Sequence, residues 1–313
     1  MSRAGVPRVA VTEAPCFVAV GHVTRDVAGD ATMAGGAAFY AARTAAALGL
    51  RASVLTSLGD DFEHRAELRD VTLVECAAAE STRFVNRYEP GGRRQQVEAL
   101  AAALTLRDAP AQLRQAAALY VCPVLGEVEP GIASAFDAKV VGAGAQGWMR
   151  SLGASGEVRR RRWRPTAREL SSYDLIVLSD EDAAGDDEVV GHLRRRVPLL
   201  AYTHGEAGSE LFHRGERHRV PALPTTQVGP TGAGDAYGAA LVAGLLWGLE
   251  PVDAAYLASC VAAVVVEAVG GAALGRVGEV WGRLERYGEL HRVDVSRVLA
   301  SRPALPDEAP GSR

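Results

Sequence analysis

The chain has 313 residues, of which 48% are hydrophobic and 23% charged, and its formal net charge is −4. This balance is typical of a globular protein with a large core and excludes wholesale disorder. The mild negative charge argues against nucleic acid or an anionic membrane as the main partner. The exception is the arginine run at 159–162, for which a solvated face is favoured over a phosphate or partner contact.

Targeting signals and reactive cysteines are not indicated. The first fifteen residues lack the apolar core of a signal peptide, and the longest apolar stretch, 236–249, is too short to span a bilayer. Without a CxxC pair, the cysteines are expected to be buried free thiols in a reducing compartment rather than zinc ligands. They are Cys16, Cys76, Cys122 and Cys260. We therefore expect a cytoplasmic protein.

Candidate buried strands alternate with helical segments along most of the chain. The predicted strands lie at 16–23, 52–59, 117–124, 138–144, 174–179 and 198–205, and the first predicted helix lies at 37–49. Strands that are apolar on both faces and separated by helices favour a mostly parallel sheet covered on both sides. The predicted fold class is therefore a three-layer α/β/α sandwich.

Two segments are predicted to form hairpins. The segment 82–99 alternates around a Pro-Gly-Gly turn and is polar enough to be a flap over a site, whereas 209–222 suits an edge hairpin. For Asn86 and Arg87 in the flap, a solvated hairpin face is favoured over a substrate contact. We predict one domain over 1–301, with a lid mainly from 82–99, followed by a disordered tail at 302–313.

The stretch GPTGAGDAYGAAL at 229–241 joins a glycine turn to the start of a predicted helix. A glycine turn at a helix start exposes unpaired backbone N–H groups at the positive end of the helix dipole. Such a turn binds anions without a lysine. We therefore expect Gly232, Ala233 and Gly234 to form an anion site.

Asp235 follows this turn and has two interpretations. It could complement the helix dipole, which is a common use of a first-turn aspartate. It could instead remove a proton from a hydroxyl that attacks a phosphoryl group, while the amides hold the charge that builds up on the phosphoryl oxygens. Local chemistry leaves both open.

A second glycine motif occurs at 139–147, where Gly142, Gly144 and Gly147 follow a predicted strand. This GxGxxG spacing is a weak signal of dinucleotide binding. The expected acidic residue about 20 positions further on is absent, and arginines occupy that region, which would suit NADP. A strand that ends in a glycine-rich turn is favoured, with an NADP-dependent oxidoreductase kept as an alternative.

Five landmarks occur in a recognisable order. They are Gly21 with Asp26, the pair Gly35-Gly36, the element Gly59-Asp60-Asp61-Phe62, Thr203 with Gly205 and Gly208, and Pro230-Thr231-Gly232-Ala233-Gly234-Asp235. Over roughly residues 16–275 the chain resembles the PfkB (ribokinase-like) carbohydrate kinase family. In motif detail it is most similar to inositol-kinase-like members, whose signature has the same Pro-Thr-Gly-Ala-Gly-Asp form.

The resemblance implies a ribokinase-like sandwich with a small β lid, ATP as donor, Mg²⁺, and phosphorylation of a hydroxyl on a sugar, polyol or nucleoside. It implies Asp235 as catalytic base and the amides of 232–234 as the anion hole. It assigns acceptor binding to Asp26, Gly35, Gly36, Tyr40, Gln146 and Arg150. It assigns nucleotide binding to Thr203, Gly205, Gly208 and Thr231.

The chain departs from the family pattern at four places. Ser179-Asp180-Glu181-Asp182 replaces an Asn-x-x-Glu element, so that Asp182 would organise Mg²⁺ through water. Tyr40 replaces an asparagine that binds substrate. Gly229 replaces an acid that helps hold a monovalent cation. Only eight residues separate Asp26 from Gly35, which predicts a reduced lid.

The favoured function is an ATP-dependent kinase acting on a small hydroxyl acceptor, with a myo-inositol-like acceptor preferred. The alternative is a ribokinase-like binding or regulatory protein that has lost turnover, because several family positions are altered. We expect a monomer or homodimer with no nucleic-acid or membrane partner. For His22, a structural histidine is favoured over a pocket-lining residue.

Overall fold

A computed structural model describes residues 16–89, 92–184 and 186–303. The strands are, in chain order, β1 Phe17–Val20, β2 Thr24–Ala28, β3 Ala31–Gly35, β4 Ala52–Leu58, β5 Thr72–Ala77, β6 Arg83–Glu89, β7 Gly92–Ala99, β8 Ala118–Val121, β9 Val140–Gly144, β10 Arg150–Leu152, β11 Val158–Arg160, β12 Leu175–Ser179, β13 Leu199–Thr203, β14 Ser209–His213 and β15 Glu216–Val220.

The α-helices follow the same order. They are α1 Ala37–Ala47, α2 Ala167–Leu170, α3 Asp180–Ala183, α4 Asp187–Arg194, α5 Ala233–Leu246, α6 Pro251–Val265, α7 Val280–His291 and α8 Ser296–Ala300. Two 3₁₀ segments bear on the argument below, Gln146–Met149 and Gly270–Glu279. None of the helices in the described ranges has the length and apolar character needed to cross a membrane.

A nine-stranded sheet forms the centre of the fold, in the order β15-β14-β13-β12-β9-β8-β1-β4-β5. The strands from β13 to β5 are parallel, and β14 and β15 add an antiparallel edge hairpin. All six strands predicted from apolar runs lie in this sheet, and the predicted edge hairpin is present. The predicted mostly parallel sheet is therefore confirmed.

Two apolar clusters cover the two faces of the sheet. Along β1, Phe17 and Ala19 pack into one cluster with α1, α5 and α6, whereas Val18 and Val20 pack into the other. This alternation follows from the two-residue period of a strand, and both sets are apolar because both faces are covered. Helices on both faces give the predicted three layers.

A second, four-stranded sheet has the order β3-β2-β6-β7. The hairpin predicted at 82–99 forms β6 and β7, so that part of the prediction is confirmed. The chain between Asp26 and Gly35 was expected to be too short for a long hairpin, and it forms a short one in which β2 and β3 pair antiparallel through a tight turn. β6 and β7 have seven and eight residues, whereas β2 and β3 have five each, so the segment 82–99 supplies the larger part of this sheet. That the sheet acts as a lid stays a prediction.

The order of the parallel strands changes direction at β1, which pairs with β4 on one side and with β8 on the other. The two strands end close together: a Cβ on Gly21 would lie 2.3 Å from the carbonyl oxygen of Cys122. In open α/β sheets, ligands bind beyond the carboxyl ends of the strands at such a switch point. The fold therefore places a crevice where β1 and β8 end.

Candidate functional site

The loop before α5 is held in a left-handed turn. Gly232 has a φ of +84° and caps the helix. A Cβ on Gly232 would lie 2.2 Å from the ring of Tyr40, which is only 1% exposed. Glycine is therefore required here both by conformation and by the close approach of the ring. The Tyr40 ring packs directly against the backbone of this loop.

The first turn of α5 presents backbone donors. Among the described residues, the N–H groups of Gly232, Gly234 and Asp235 have no backbone acceptor, whereas the N–H of Ala233 donates to the carbonyl of Pro230 at 3.3 Å. Open N–H groups at a helix N-terminus carry partial positive charge and attract anions. This arrangement differs slightly from the prediction, because the amide of Ala233 is already occupied.

Asp235 is a half-buried carboxyl group in this turn. Burial raises its pKa to about 7, the charge of Arg150 lowers it, and the charge of Asp182 raises it. Both partners come from distant parts of the chain, so the fold brings three charged groups into one electrostatic neighbourhood. A carboxyl group that titrates near neutrality is suited to accept a proton from a hydroxyl.

The helix lies close to the sheet beneath Asp235. The hydroxyl of Tyr120 on β8 would be 2.0 Å from a Cβ on Gly238 and 3.0 Å from one on Gly144. Tyr120 and Cys122 are fully buried. The pKa of each is raised mainly by this burial and further by the charge of Asp235. The base candidate therefore lies against β8, beside the switch point of the sheet.

Asp26 lies on the second sheet and is 8% exposed. The Thr24 hydroxyl donates to its Oδ1 at 2.8 Å, and a Cβ on Gly35 would lie 2.6 Å from its carboxyl carbon. Gly36, with a φ of +87°, lies against the carbonyl of His22 at the start of α1. The structure therefore groups the predicted acceptor residues Asp26, Gly35 and Gly36.

The same face of the second sheet carries a buried amide that sequence reasoning assigned to solvent. Asn86 is 7% exposed, and its Oδ1 accepts a hydrogen bond from Gln95 at 3.2 Å. The strand register puts Asn86 on the face of Phe84, which pairs with Asp26. The expectation of a solvated face at Asn86 is wrong, because Phe84 on this face packs into the apolar cluster that contains α1, α5 and α6. The Arg87 side chain lies outside the described set.

The predicted metal residue Asp182 lies just beyond the end of β12. The Ser179 hydroxyl donates to Asp182 Oδ2 at 2.6 Å and accepts from the Asp182 amide at 3.0 Å. Within the described ranges, no group of three His, Cys, Asp or Glu side chains is placed to hold a metal. One ordered carboxylate fits a Mg²⁺ ion that keeps water and phosphate ligands and touches the protein through water.

The predicted nucleotide turn follows the neighbouring strand β13. Thr203 pairs with Ser179, and the His204 amide donates to the carbonyl of Gly208 at 2.8 Å. Gly205 and Gly208 both have positive φ, and a Cβ on Gly208 would lie 2.2 Å from the carbonyl of Val220. This tight turn therefore lies beside the Asp182 carboxylate at the carboxyl edge of the sheet.

Arg150 reaches the site from the segment that follows β9. Gln146 begins a 3₁₀ turn that ends at Met149, and Arg150 begins β10. Arg150 affects the pKa of Asp235, so the two side chains share one electrostatic environment. Gln146 is half-buried on the same turn.

His22 is a structural histidine, as favoured from the sequence. Its Nε2 donates to the carbonyl of Ala102 at 3.0 Å, and its Nδ1 accepts from the Thr82 hydroxyl at 2.8 Å. The Glu127 carboxylate accepts from the His22 amide at 3.1 Å. These bonds satisfy both ring nitrogens in the neutral form.

The second glycine motif does not open a helix. After β9 the chain forms a single 3₁₀ turn and enters β10, and a Cβ on Gly147 would lie 2.3 Å from the carbonyl of Pro123. A dinucleotide fingerprint requires a helix directly after the glycines, with its N-terminus on the pyrophosphate. The motif is therefore a packed turn, and the NADP-dependent alternative is not favoured.

Segments of this chain are similar in sequence to known proteins. Residues 160–275 match the model of the pfkB family carbohydrate kinase. An inositol 3-kinase of Zea mays is 39% identical over 107 residues, which cover 34% of this chain and 27% of the relative. A fructokinase of Klebsiella pneumoniae is 32% identical over 142 residues, which cover 41% of this chain and 45% of the relative. The matched stretch spans less than half of either relative.

Solved structures extend the likeness to most of the chain. A pyrophosphate-dependent kinase in the ribokinase family, complexed with a pyrophosphate analog and myo-inositol, superposes with a TM-score of 0.70 at 22% identity. It covers 81% of this chain and 96% of its own. The fold is therefore the ribokinase-like α/β fold. Together with the segment at 160–275 that matches the pfkB family model, this confirms the predicted resemblance.

Proposed function

We propose that the protein is a phosphotransferase that transfers a phosphoryl group to a hydroxyl of a small polyol or sugar, with a myo-inositol-like acceptor favoured. The observation that carries the proposal is Asp235, a carboxyl group with a pKa of about 7 in the first turn of α5, next to backbone donors open to an anion. The names of the relatives, inositol 3-kinase and fructokinase, support this acceptor class.

The acceptor would lie between the two sheets. Asp26 accepts hydrogen bonds from the acceptor hydroxyls, and the backbone at Gly35 and Gly36 lines the site beside that carboxylate. The Asn86–Gln95 amide pair on the same face, in which Asn86 is buried and Gln95 is half-buried, adds both donor and acceptor groups. Hydrogen-bonding groups that are buried in this way discriminate strongly against acceptors that lack the matching hydroxyl.

In the reaction, one acceptor hydroxyl faces Asp235 and gives up its proton to the carboxylate. The hydroxyl oxygen forms a bond to the terminal phosphorus of the donor as the bridging P–O bond breaks, and the shortened donor leaves with those electrons. The open N–H groups of Gly232 and Gly234 stabilise the charge on the phosphoryl oxygens, with no need to reorganise. Arg150 favours the charged form of Asp235 and balances local negative charge.

Mg²⁺ would be held by donor phosphates and by water that contacts Asp182, and when bound it would neutralise charge on the transferred group. The order of Asp182 comes from its reciprocal bonds with Ser179. Thr231, Thr203 and the turn from Gly205 to Gly208 would contact the donor, because they lie at the carboxyl edge beside this carboxylate.

The donor class requires a direct test. ATP is the donor that the family resemblance predicts, but a structural neighbour is described as pyrophosphate-dependent. We propose ATP, with pyrophosphate as the competing donor. The two differ in that only ATP needs a surface for the base and ribose beyond the phosphates.

The test is a transfer assay on the full chain with Mg²⁺, in which ATP and pyrophosphate are supplied separately to a panel of inositols, hexoses, pentoses and nucleosides. Phosphorylated product is measured by mass and NMR. We expect transfer to an inositol or hexose with ATP. Donor binding by calorimetry without product from any acceptor would contradict the proposal and favour the alternative of a binding protein without turnover.

A further inference from the structure

The arginine run at 159–162 has no role in the proposed reaction, but the structure gives it defined contacts. Arg160 on β11 pairs with Arg150 on β10, and the Arg161 amide donates to the carbonyl of Met149 at 2.8 Å. The Arg161 Nε donates to the carbonyl of Trp148 at 2.7 Å. The run therefore contacts both Arg150 and the turn Gln146–Met149 that precedes it.

The turn that carries Arg150 is itself firmly anchored. Trp148 is 1% exposed, stacks on Trp163 with ring centroids 4.9 Å apart, and donates from Nε1 to the carbonyl of Val128 at 2.7 Å. With Gly147 packed on Pro123, the turn has little room to move. Arg161 closes this assembly from the solvent side, since its own side chain is exposed.

The far end of the hairpin formed by β10 and β11 contacts the second sheet. The Val97 amide on β7 donates to the carbonyl of Gly156 at 2.7 Å, and the Gln96 side chain donates to the carbonyl of Ser155 at 3.2 Å. Gln96 and Glu157 form an antiparallel bridge. The hairpin therefore adds to the edge of the sheet that carries Asp26.

Gly156 makes this contact possible. Its φ is +84°, and a Cβ at this position would lie 2.6 Å from the carbonyl oxygen of Val97. A side chain would both strain the turn and push the hairpin off β7. The hairpin turn is therefore shaped to fit the second sheet.

We propose that the β10–β11 hairpin, with Arg161, is a positioning element that ties the second sheet to Arg150 beside Asp235. Arg161 and Gly156 are its two positioning residues: Arg161 sets the base of the hairpin and Gly156 sets its contact with the sheet. Since Asp26 lies on the sheet that the hairpin contacts and Arg150 is the first residue of the hairpin itself, the hairpin fixes the spacing of the two walls of the acceptor site. This inference rests on the proposed function.

The test compares Arg161→Ala with Arg162→Ala. Arg162 is the matched control, because it is the next residue in the run and its side chain is exposed like that of Arg161. In Arg161→Ala we expect KM for the acceptor to rise on the order of tenfold, as a small misplacement of a binding group produces. The acid limb of kcat/KM should also move to higher pH by about 0.5 or more, because Arg150 no longer holds down the pKa of Asp235. Arg162→Ala should match the wild type in both.

A second measurement does not depend on turnover. Hydrogen exchange followed by NMR should show faster exchange of the Val97 amide and of the backbone amide at position 161 in Gly156→Ala, and again in Arg161→Ala, since the two ends act as one element. Faster exchange at only the substituted end in both variants would overturn the coupling, as would an unchanged pH profile and KM in a folded Arg161→Ala. If the wild type transfers no phosphoryl group, the proposed function fails, and exchange alone decides the coupling.

Discussion

Two glycine-rich turns of this chain look alike in sequence but differ in how much room the structure leaves around their glycines. Gly232 and Gly234 open a fourteen-residue helix, and no atom lies within 4 Å of a Cβ built on Gly234. In contrast, a Cβ on Gly142 or Gly147 would lie 2.7 Å from Val242 or 2.3 Å from Pro123. Gly232 of the first turn also packs closely, against the Tyr40 ring, so the two turns differ in the open space at Gly234.

The difference shows why glycine spacing alone is a weak signal. A glycine that leaves space is suited to bind a ligand through its amide, whereas a glycine that removes a clash serves packing. The second turn still contributes to the site, because it leads into Arg150. Four substitutions test this difference between the two turns. They follow in order of decreasing expected effect.

The Asp235→Asn substitution is expected to have the largest effect. The amide keeps the shape of the side chain but cannot accept the acceptor proton, so kcat should fall by roughly 10²- to 10⁴-fold. Steady-state rates with the acceptor identified by the transfer assay would measure this. A rate within a few-fold of wild type would show that Asp235 is not the base and leave it as a dipole complement.

The same variant has a stability signature. The pKa of Asp235 is raised in the folded protein, so ionisation of this group lowers wild-type stability as pH rises from about 4 through about 7. Asp235→Asn should therefore resist urea better than wild type at pH 8 and equally at pH 4. Equal midpoints at both pH values would contradict the raised pKa, independently of activity.

Gly147→Ala tests the packed turn. Its new methyl group would lie 2.3 Å from the Pro123 carbonyl, and both backbones are held by neighbouring segments. Overpacking of this kind should lower the free energy of unfolding by about 1–3 kcal/mol. Urea unfolding checks this. Wild-type stability would mean that this turn has room to adjust and that the contrast between the two turns is overstated.

Arg150→Met tests the link from the packed turn to the site. Loss of the positive charge should raise the pKa of Asp235 and move the acid limb of kcat/KM to higher pH by about 1, since a nearby opposite charge commonly lowers an acid pKa by that amount or more. Arg150→Lys keeps the charge and should stay closer to wild type. Identical pH profiles for all three proteins would remove Arg150 from the environment of Asp235.

Gly234→Ala should have the smallest effect on stability. The position is helical and open, so alanine should raise the free energy of unfolding by up to about 1 kcal/mol. Gly282→Ala, at an exposed and equally open position of α7, is the matched control. A loss of stability at Gly234 alone would show that the first turn of α5 is more crowded than its surroundings indicate.

The parallel sheet was accessible to sequence reasoning because each of its strands is a short apolar run bounded by turn residues. The short hairpin of β2 and β3 was not predicted, because its strands are short and mixed in polarity and only a tight turn at Gly29 and Asp30 joins them. Asn86 was assigned to solvent because alternation in a hairpin does not reveal which face packs against a distant segment.

The substitutions at family positions also needed the structure. Tyr40 was predicted to contact substrate, and that contact stays a prediction. Its ring packs against Gly232 and so constrains the turn that begins α5. Gly229 stands where the family pattern has an acidic residue. A Cβ at Gly229 would lie 2.8 Å from the carbonyl of Ala268, so this backbone approach leaves no room for a side chain.

Local chemistry written in the sequence accounts for the open amides at the start of α5 and for a carboxylate in its first turn, because both depend only on neighbouring residues. The pKa of that carboxylate depends on burial against β8 and on charges from Arg150 and Asp182, which are far away along the chain. Desolvation and long-range charge arise only when these segments pack together. Tertiary structure therefore decides whether Asp235 is an ordinary helix-capping acid or a group that titrates near neutrality.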